Sequence, residues 1–395
     1  MSGLTHYPFT VIKLHSVIDS YRTYQKDIAM PLPLILGAAA LVTAAYGAKK
    51  GYDGYQRHSE ADDIVKAAQD RYEAKKDVFE EQETKTTSAL DNLGKKELEI
   101  GQSFAEFKVL ADKLLQQMNT GRQHKLEVNI PKHNLQKVDN YSFTAVGVLG
   151  TVASAGTAGA AAGFAVYGGV MALGAASTGT AISSLAGVAA TNATLAAIGG
   201  GSLATGGLGM AGGTAILGAA VAAPVLAIAG WAYNSHGEEA LKNAHKADQE
   251  VTAAIGKLTQ ATELLGETEH YVRKIRRSLM SIYAQFNQYF DNLKDIDAFL
   301  QDLKGRNVDA QAELAKFNDS IVSTIENGYA LASILVNVIT TPIFKLKKVN
   351  GEVAKNKEGV PTMELDSDGS MILNESELDK VMVNAGAEAS KVEAA

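Results

Sequence analysis

The sequence has no cysteine, and its 395 residues carry a net charge of −7. Without cysteine the chain has neither disulfides nor thiolate metal sites, so composition favours neither a reducing nor an oxidising compartment. The acidic balance excludes a nucleic-acid binder as the overall function, because phosphate binding depends on clustered positive charge. With 46% apolar residues the chain can still bury a large core, which excludes disorder throughout.

Enzyme motifs are also missing. The sequence has no Walker A loop, no His-Glu-x-x-His and no Gly-x-Ser-x-Gly. Residues 207–212 match the Gly-x-Gly-x-x-Gly dinucleotide pattern, but no β-rich strand precedes them, and a glycine-rich region produces this pattern by chance. The histidines are scattered without metal-ligand spacing. We therefore expect no enzymatic activity, no cofactor and no metal.

The N-terminal segment, residues 1–58, lacks the basic and apolar regions of a secretory signal peptide in its first 29 residues. Its first apolar run, residues 30–48, ends at two lysines and comes close in length to the hydrocarbon core of a bilayer, which is about 30 Å thick. We interpret this run as an anchor-like helix. Because it contains two prolines and many alanines, a buried core helix is the alternative.

Charge is absent from a long internal segment. Residues 140–237 contain no Asp, Glu, Lys or Arg, whereas 21% of the whole chain is charged. Globular domains carry charged residues throughout, so this run is not a chance feature. Small residues recur at every fourth position, a spacing that lets helix backbones approach closely in lipid. We predict a membrane hairpin that crosses the bilayer twice, with a soluble Ala/Gly-rich core wrapped by the charged helices as the alternative.

Specific residues are assigned to this hairpin. The glycines predicted to pack helices together are Gly147, Gly159, Gly163, Gly199, Gly209 and Gly213. Trp231 and Tyr233 are predicted to lie at the membrane–water interface, where amphipathic rings concentrate.

Two long charged helices flank the uncharged segment. The first is predicted over residues 59–118, with Ser59 as its N-cap and a polar linker up to residue 139. The second belongs to a coiled-coil region, residues 238–343, in which apolar residues keep heptad spacing from Ala240 to Leu303. A third helix is predicted over 308–340. The simplest packing of these seams is an antiparallel bundle.

The heptad seam changes character along its length. Alanine dominates it up to Ala261, and larger residues dominate from Leu265 onward. The large seam residues predicted to hold the bundle together are Leu265, Val272, Ile275, Leu279, Ile282, Phe286, Tyr289 and Leu293. The cations of the same helix at residues 273, 274, 276 and 277 either touch anionic lipid headgroups or form a solvated face.

The tail, residues 344–383, is predicted to form a small β-hairpin. Asn-Gly and Asp-Gly dipeptides between apolar runs are typical of tight hairpin turns. Acidic residues from Glu364 to Glu375 also fall on calcium-loop positions, which leaves calcium binding as the alternative. The end of the chain, residues 384–395, is predicted to be disordered.

Together these features predict an all-α fold, in which a long coiled-coil bundle flanks a Gly/Ala-rich hydrophobic hairpin and a small C-terminal β-hairpin follows. This layout resembles α-helical pore-forming toxins of the cytolysin A and haemolysin BL type, and apolipoprotein L. Residues 177–213 are similar to a glycine-rich segment of bacterial glycine-zipper membrane proteins of unknown function. The resemblance implies a membrane-inserting protein that forms pores or perturbs membranes as an oligomer.

The expected partners are the lipid bilayer and further copies of the chain, with no nucleic acid. We expect the protein to be soluble before insertion. After insertion we expect it in the bacterial inner membrane, with the coiled coil on the cytoplasmic side. The second functional hypothesis is a membrane-anchored scaffold whose coiled coil recruits a partner protein, such as a GTPase or a nuclease.

Overall fold

The structure is a computed structural model that describes residues 52–120, 126, 128–155, 160–168, 237–306, 310–354, 362–367 and 371–394. It confirms the predicted fold class, because helices dominate these residues and the one two-stranded sheet among them lies near the C-terminus. The described residues belong to two compact units. The first comprises 52–72 with 237–254, and the second comprises 73–168 with 255–394. The predicted anchor at 30–48 lies outside the described residues.

Two helices are much longer than the other described helices. Helix α1 covers Tyr52–Asn119, and the later helix α4 covers Gly237–Gly305. The prediction that Ser59 caps α1 is wrong, because Ser59 lies inside the helix. A serine marks a helix start only where the backbone leaves helical geometry, and the single glycine at position 54 costs too little to end a helix.

The two long helices run parallel in the second unit. The Thr86 hydroxyl donates to the Leu265 carbonyl at 2.9 Å, Ser103 bonds the Tyr283 hydroxyl at 2.7 Å, and Lys113 pairs with Asp297 at 2.5 Å. Residue numbers therefore rise together along both helices. For this pair the antiparallel expectation was wrong, because a three-four spacing of apolar residues reads the same in both chain directions.

In the first unit α1 and α4 also contact each other. Arg71 of α1 forms an ion pair with Asp248 of α4. The buried side chains of this unit are small, apart from Tyr72 and Val251. They include Ala61, Ala68, Ala244, Ala247 and Ala254. Alanine buries little apolar surface, so each contact in this unit contributes less free energy than a Leu or Phe contact would.

A helix that the sequence did not delimit returns along α1. Helix α2 covers Lys132–Ala155, directly after Pro131, and the short helix α3 covers Ala160–Gly163. A π-helical turn, Phe164–Gly168, follows. The predicted domain boundary at 139/140 lies inside α2. A change from charged to uncharged side chains alters what the surface of a helix contacts. It does not interrupt the backbone hydrogen bonds, so the helix continues through it.

Helix α6 is the central helix of the bundle. The predicted helix 308–340 is divided into α5, Ala310–Ala315, and α6, Asn318–Ile339, by a turn at residues 316–317. Because of this turn Phe317 is 53% exposed rather than part of the seam. Most of α6 from Gly328 onward is buried. By length and composition alone α6 is apolar enough to cross a membrane, but core helices of soluble proteins pass the same test.

The C-terminal region combines a β-hairpin with a helix. Strands β1, Lys348–Val349, and β2, Glu352–Val353, pair in antiparallel register. Asn350 and Gly351 connect them with φ values of 53° and 85°, as a type I′ Asn-Gly turn requires. The β-hairpin prediction is confirmed. A second Asp-Gly region is flanked by an antiparallel bridge between Leu365 and Met371, and the described residues contain no acidic cluster suited to a metal.

The expectation of a disordered end is wrong. Helix α7 covers Glu375–Glu393 and buries Leu378, Met382, Ala385 and Ala389. Its packing partners are α6 and α4, the latter through a 2.6 Å ion pair between Lys274 and Asp379. An alanine-rich, charged sequence suggests disorder when it is read alone. Four small or apolar residues at helical spacing are enough to stabilise a helix once a core exists to cover them.

Candidate functional site

The first part of the uncharged segment docks on a glycine-marked face of α1. A Cβ added to Gly101 would lie 2.3 Å from the Ala145 Cβ, and one added to Gly94 would lie 1.7 Å from the Ala161 carbonyl oxygen. Neither distance is compatible with a side chain at the glycine. The two glycines are seven residues apart on one face of α1, so α2 and α3 approach its backbone closely at two consecutive levels. We call this contact the docking face.

Glu97 lies between the two glycines and is almost completely buried, with 2% exposure. Its Oε2 atom has no hydrogen-bond partner among the residues that the structure describes. Burial raises the pKa of the Glu97 carboxyl well above its usual range, because removal from water disfavours the charged form. The Tyr141 hydroxyl donates to the Glu97 backbone carbonyl at 2.8 Å, which places Tyr141 of α2 against α1 at this residue.

An aromatic cluster joins the docking face to the bundle core. The Phe104 and Phe286 ring centroids are 5.2 Å apart, and Phe104 also meets Tyr141 at 6.3 Å. Tyr141 in turn contacts Phe164 of the π-helical turn at 6.2 Å. Edge-to-face and tilted pairs of this kind add to the free energy of burial. Tyr141, Ala145 and Phe164 are therefore part of the described core.

The hairpin residues predicted from sequence are only partly covered by the structure. Gly147 lies on the exposed side of α2, and a Cβ added there would meet no heavy atom of its surroundings within 4 Å. The close contact of Gly147 within a membrane hairpin stays a prediction; in this structure α2 turns Tyr141 and Ala145 toward α1. Gly163 belongs to α3. The predicted residues outside the described ranges are Gly159, Gly199, Gly209, Gly213, Trp231 and Tyr233.

The predicted seam residues of α4 lie in or beside the core. Those that are buried are Val272, Ile275, Leu279, Ile282, Phe286 and Leu293. Leu265 and Tyr289 are half-buried, and the Tyr289 hydroxyl donates to the Val392 carbonyl of α7 at 3.3 Å. Phe290 is buried beside them. The seam is wider than one heptad stripe because α4 contacts α1, α6 and α7 at once.

The basic residues of α4 are largely engaged with protein groups. Arg273 pairs with Glu269 at 2.7 Å, and Lys274 pairs with Asp379 at 2.6 Å. The Arg277 side chain donates to the Arg273 carbonyl at 3.4 Å. These contacts favour the interpretation of a solvated and internally paired face over that of a surface reserved for lipid headgroups.

The close approach at Gly94 predicts that alanine changes stability in opposite directions at two different glycines. Gly94→Ala is expected to push α3 away from α1 and to destabilise the second unit by more than about 2 kcal/mol, because the obstacle is a backbone carbonyl. Gly266→Ala, in open space on α4, is expected to stabilise by about 0.5–1 kcal/mol through helix propensity alone. Urea unfolding measures the change in the free energy of unfolding of each variant. Destabilisation by both substitutions would contradict this account.

Sequence reasoning identified the seam but missed the docking face. Glu97 interrupts the apolar spacing of α1, and Gly94 and Gly101 accompany it at helical intervals. Together these three residues are a recognisable signal of a close helix contact beside a buried polar group. Comparisons of the chain with protein-family models, with curated proteins and with solved structures give no match.

Proposed function

We propose that the protein inserts its uncharged segment, residues 140–237, into a lipid bilayer and perturbs or perforates it as an oligomer. The observation that carries this proposal is the complete absence of charge from the segment, between two helices rich in charge. A helix without charged side chains avoids the cost of about 2.5–3.5 kcal/mol that each Asp, Lys or Arg adds at the centre of a membrane span.

The parallel packing of α1 and α4 supports an even number of crossings. In the second unit the two helices lie side by side, so both lie on one side of any bilayer. A segment that joins them must therefore leave and return. Residues 169–236 are long enough for two spans of about 20 residues each.

The exposed side of α2 also supports the proposal. Phe143 and Val146, inside the uncharged segment, are 58% and 43% exposed. Gly147 and Gly150 lie on the same helical face. This face offers apolar and small side chains without a charge, which is the composition that lipid contact and helix association in lipid require.

The test of insertion is flotation of the purified protein with liposomes that contain anionic lipid. Replacement of residues 169–236 by a Gly/Ser linker of about 20 residues is expected to abolish flotation, whereas deletion of 30–48 is expected to reduce it less. The linker variant keeps every residue of the docking face, so its folding can be checked by circular dichroism. Flotation of the folded linker variant at the level of the full chain would contradict the proposal.

Leu226→Arg tests the same idea with one side chain. Leu226 lies near the middle of the last apolar piece of the segment, and an arginine there adds about 2.5–3.5 kcal/mol to insertion, which weakens partitioning roughly 60- to 300-fold. The control is Val109→Arg, because Val109 is 71% exposed on α1. It is expected to leave flotation unchanged.

A membrane-anchored scaffold is the second candidate. The observation in its favour is an apolar groove at the end of α4, where Phe299 and Phe317 are 47% and 53% exposed beside Leu314 and Ile321. Exposed aromatic rings of this kind are typical of contacts with a partner protein. Release of an encapsulated dye separates the two candidates, since a pore former empties the liposomes and a scaffold binds them without leakage.

A further inference from the structure

We propose that Glu97 is a proton-controlled latch that holds α2 and α3 on the bundle while its carboxyl is neutral and releases them when it ionises. The latch is an equilibrium between a docked and an undocked state of α2 and α3. It does not require a membrane, so it can be measured in water. Its bearing on insertion rests on the proposed function, because release would lengthen the apolar chain available to lipid.

The geometry places the carboxyl under the segment that it controls. Gly94 and Gly101, three residues before and four residues after Glu97, are the two points at which α1 touches Ala161 and Ala145. Tyr141 closes the space between them by its hydrogen bond to the Glu97 carbonyl. The latch requires that undocking of α2 and α3 exposes this carboxyl to water.

No charge of the described elements around Glu97 compensates an ionised carboxylate. From α2 the facing titratable group is Tyr141, within electrostatic reach of Glu97. The stretch 160–168 contains no charged residue, and its single titratable group is Tyr167. On α6 no charged residue follows Glu326. Burial is thus the dominant influence on the pKa of this carboxyl.

The cations of α4 near this level do not reach it either. Arg273 and Lys274 are paired with Glu269 and Asp379, as described above. Arg276 has a buried Nε atom without a hydrogen bond and forms no ion pair with Glu97 in the described residues. An ionised Glu97 in the docked state would be a buried, uncompensated charge, which proteins avoid by releasing the segment or by keeping the proton.

The sign of the pH dependence follows from these facts. The pKa of Glu97 is raised in the docked state, while the carboxyl exposed by undocking has an ordinary pKa near about 4.3. Docking is therefore strongest at acidic pH. As the pH rises above the undocked pKa, the undocked form loses a proton that the docked form keeps, and the docking constant falls about tenfold per pH unit until the docked carboxyl also ionises.

Amide hydrogen exchange of residues 141–149 in the full chain tests the latch. After correction for the intrinsic chemical rate, protection in the wild type is expected to fall as the pH rises from 5.5 to 7.5, by up to about tenfold per pH unit. Glu97→Gln keeps the shape but cannot ionise, so its protection is expected to be independent of pH. Glu106→Gln, an exposed glutamate on the same helix, is expected to keep the wild-type slope.

Tyr141→Phe separates the latch from ordinary packing. It removes the hydrogen bond to the Glu97 carbonyl and is expected to lower protection at every pH while it leaves the slope unchanged. A wild-type profile without a slope, or the same slope in Glu97→Gln, would overturn the proposal. If Glu97→Gln does not fold, selective carbon-13 labelling of glutamate decides, because a Glu97 carboxyl that titrates in the ordinary range would overturn the proposal equally.

Discussion

Ile282→Asp is expected to unfold the second unit at room temperature. Ile282 is 2% exposed and lies in the buried seam of α4, within the core that α1 and α6 share. An aspartate there either remains charged in a dry core or takes up a proton at the cost of a strongly raised pKa. Either outcome costs several kcal/mol, on the order of 4–5, which is a large part of the stability of an ordinary domain.

Met280→Asp is the matched control on the same helix. Met280 is 43% exposed, so a carboxylate at this position stays in water. Its expected effect on the free energy of unfolding is within about 1 kcal/mol. Near-ultraviolet circular dichroism at room temperature, followed by a thermal scan, distinguishes the two variants, because Ile282→Asp is expected to lack the folded signal and Met280→Asp to unfold near the wild-type midpoint. Equal midpoints would mean that the α4 seam does not hold the unit together.

Phe107→Ala is expected to have the next largest effect. Phe107 is 1% exposed, and its ring lies 5.2 Å from Phe286, 5.8 Å from Phe290 and 5.1 Å from Tyr329. Truncation removes contacts with two further helices and leaves a cavity among rigid rings. The expected loss of unfolding free energy is about 3–5 kcal/mol. Phe143→Ala, at a 58% exposed phenylalanine of α2, is expected to cost much less in the absence of lipid.

Gly328 allows a sharper form of this experiment. A Cβ added to Gly328 would lie 2.4 Å from the Phe107 Cζ atom, so Gly328→Ala alone is expected to destabilise the bundle. In the Phe107→Ala background the same methyl group enters the new cavity, and its effect is expected to be neutral or stabilising. A double-mutant cycle in urea measures this coupling. Strictly additive effects would show that the two residues are not in contact in solution.

Much of the fold follows from local sequence. Seam residues such as Leu279 and Phe286 recur at heptad spacing because an α-helix brings them to one side, so the long helix and its buried face could be predicted without a partner. The turn at Asn350 and Gly351 was equally predictable, because few residues accept positive φ at two successive positions. In both cases the physical cause acts within a few residues of the chain.

The direction of packing depended on contacts far apart in sequence. Heptad spacing indicates which face of α4 is buried, but it is the same in both directions, so only bonds such as that between Ser103 and Tyr283 decide that α1 and α4 are parallel. In the same way, the sequence of 375–393 is too polar to form a stable helix alone, and burial of residues such as Leu378 stabilises it.

At the docking face, the sequence and the tertiary structure provide different information. The sequence by itself determined that residues 140–237 carry no charge, because that is a matter of composition. It could not determine that Tyr141, Ala145 and Ala161 lie against α1, nor that they bury Glu97. Burial depends on which surfaces meet, and a glutamate on an isolated helix is always solvated. Only the tertiary structure decides that this carboxyl loses its water.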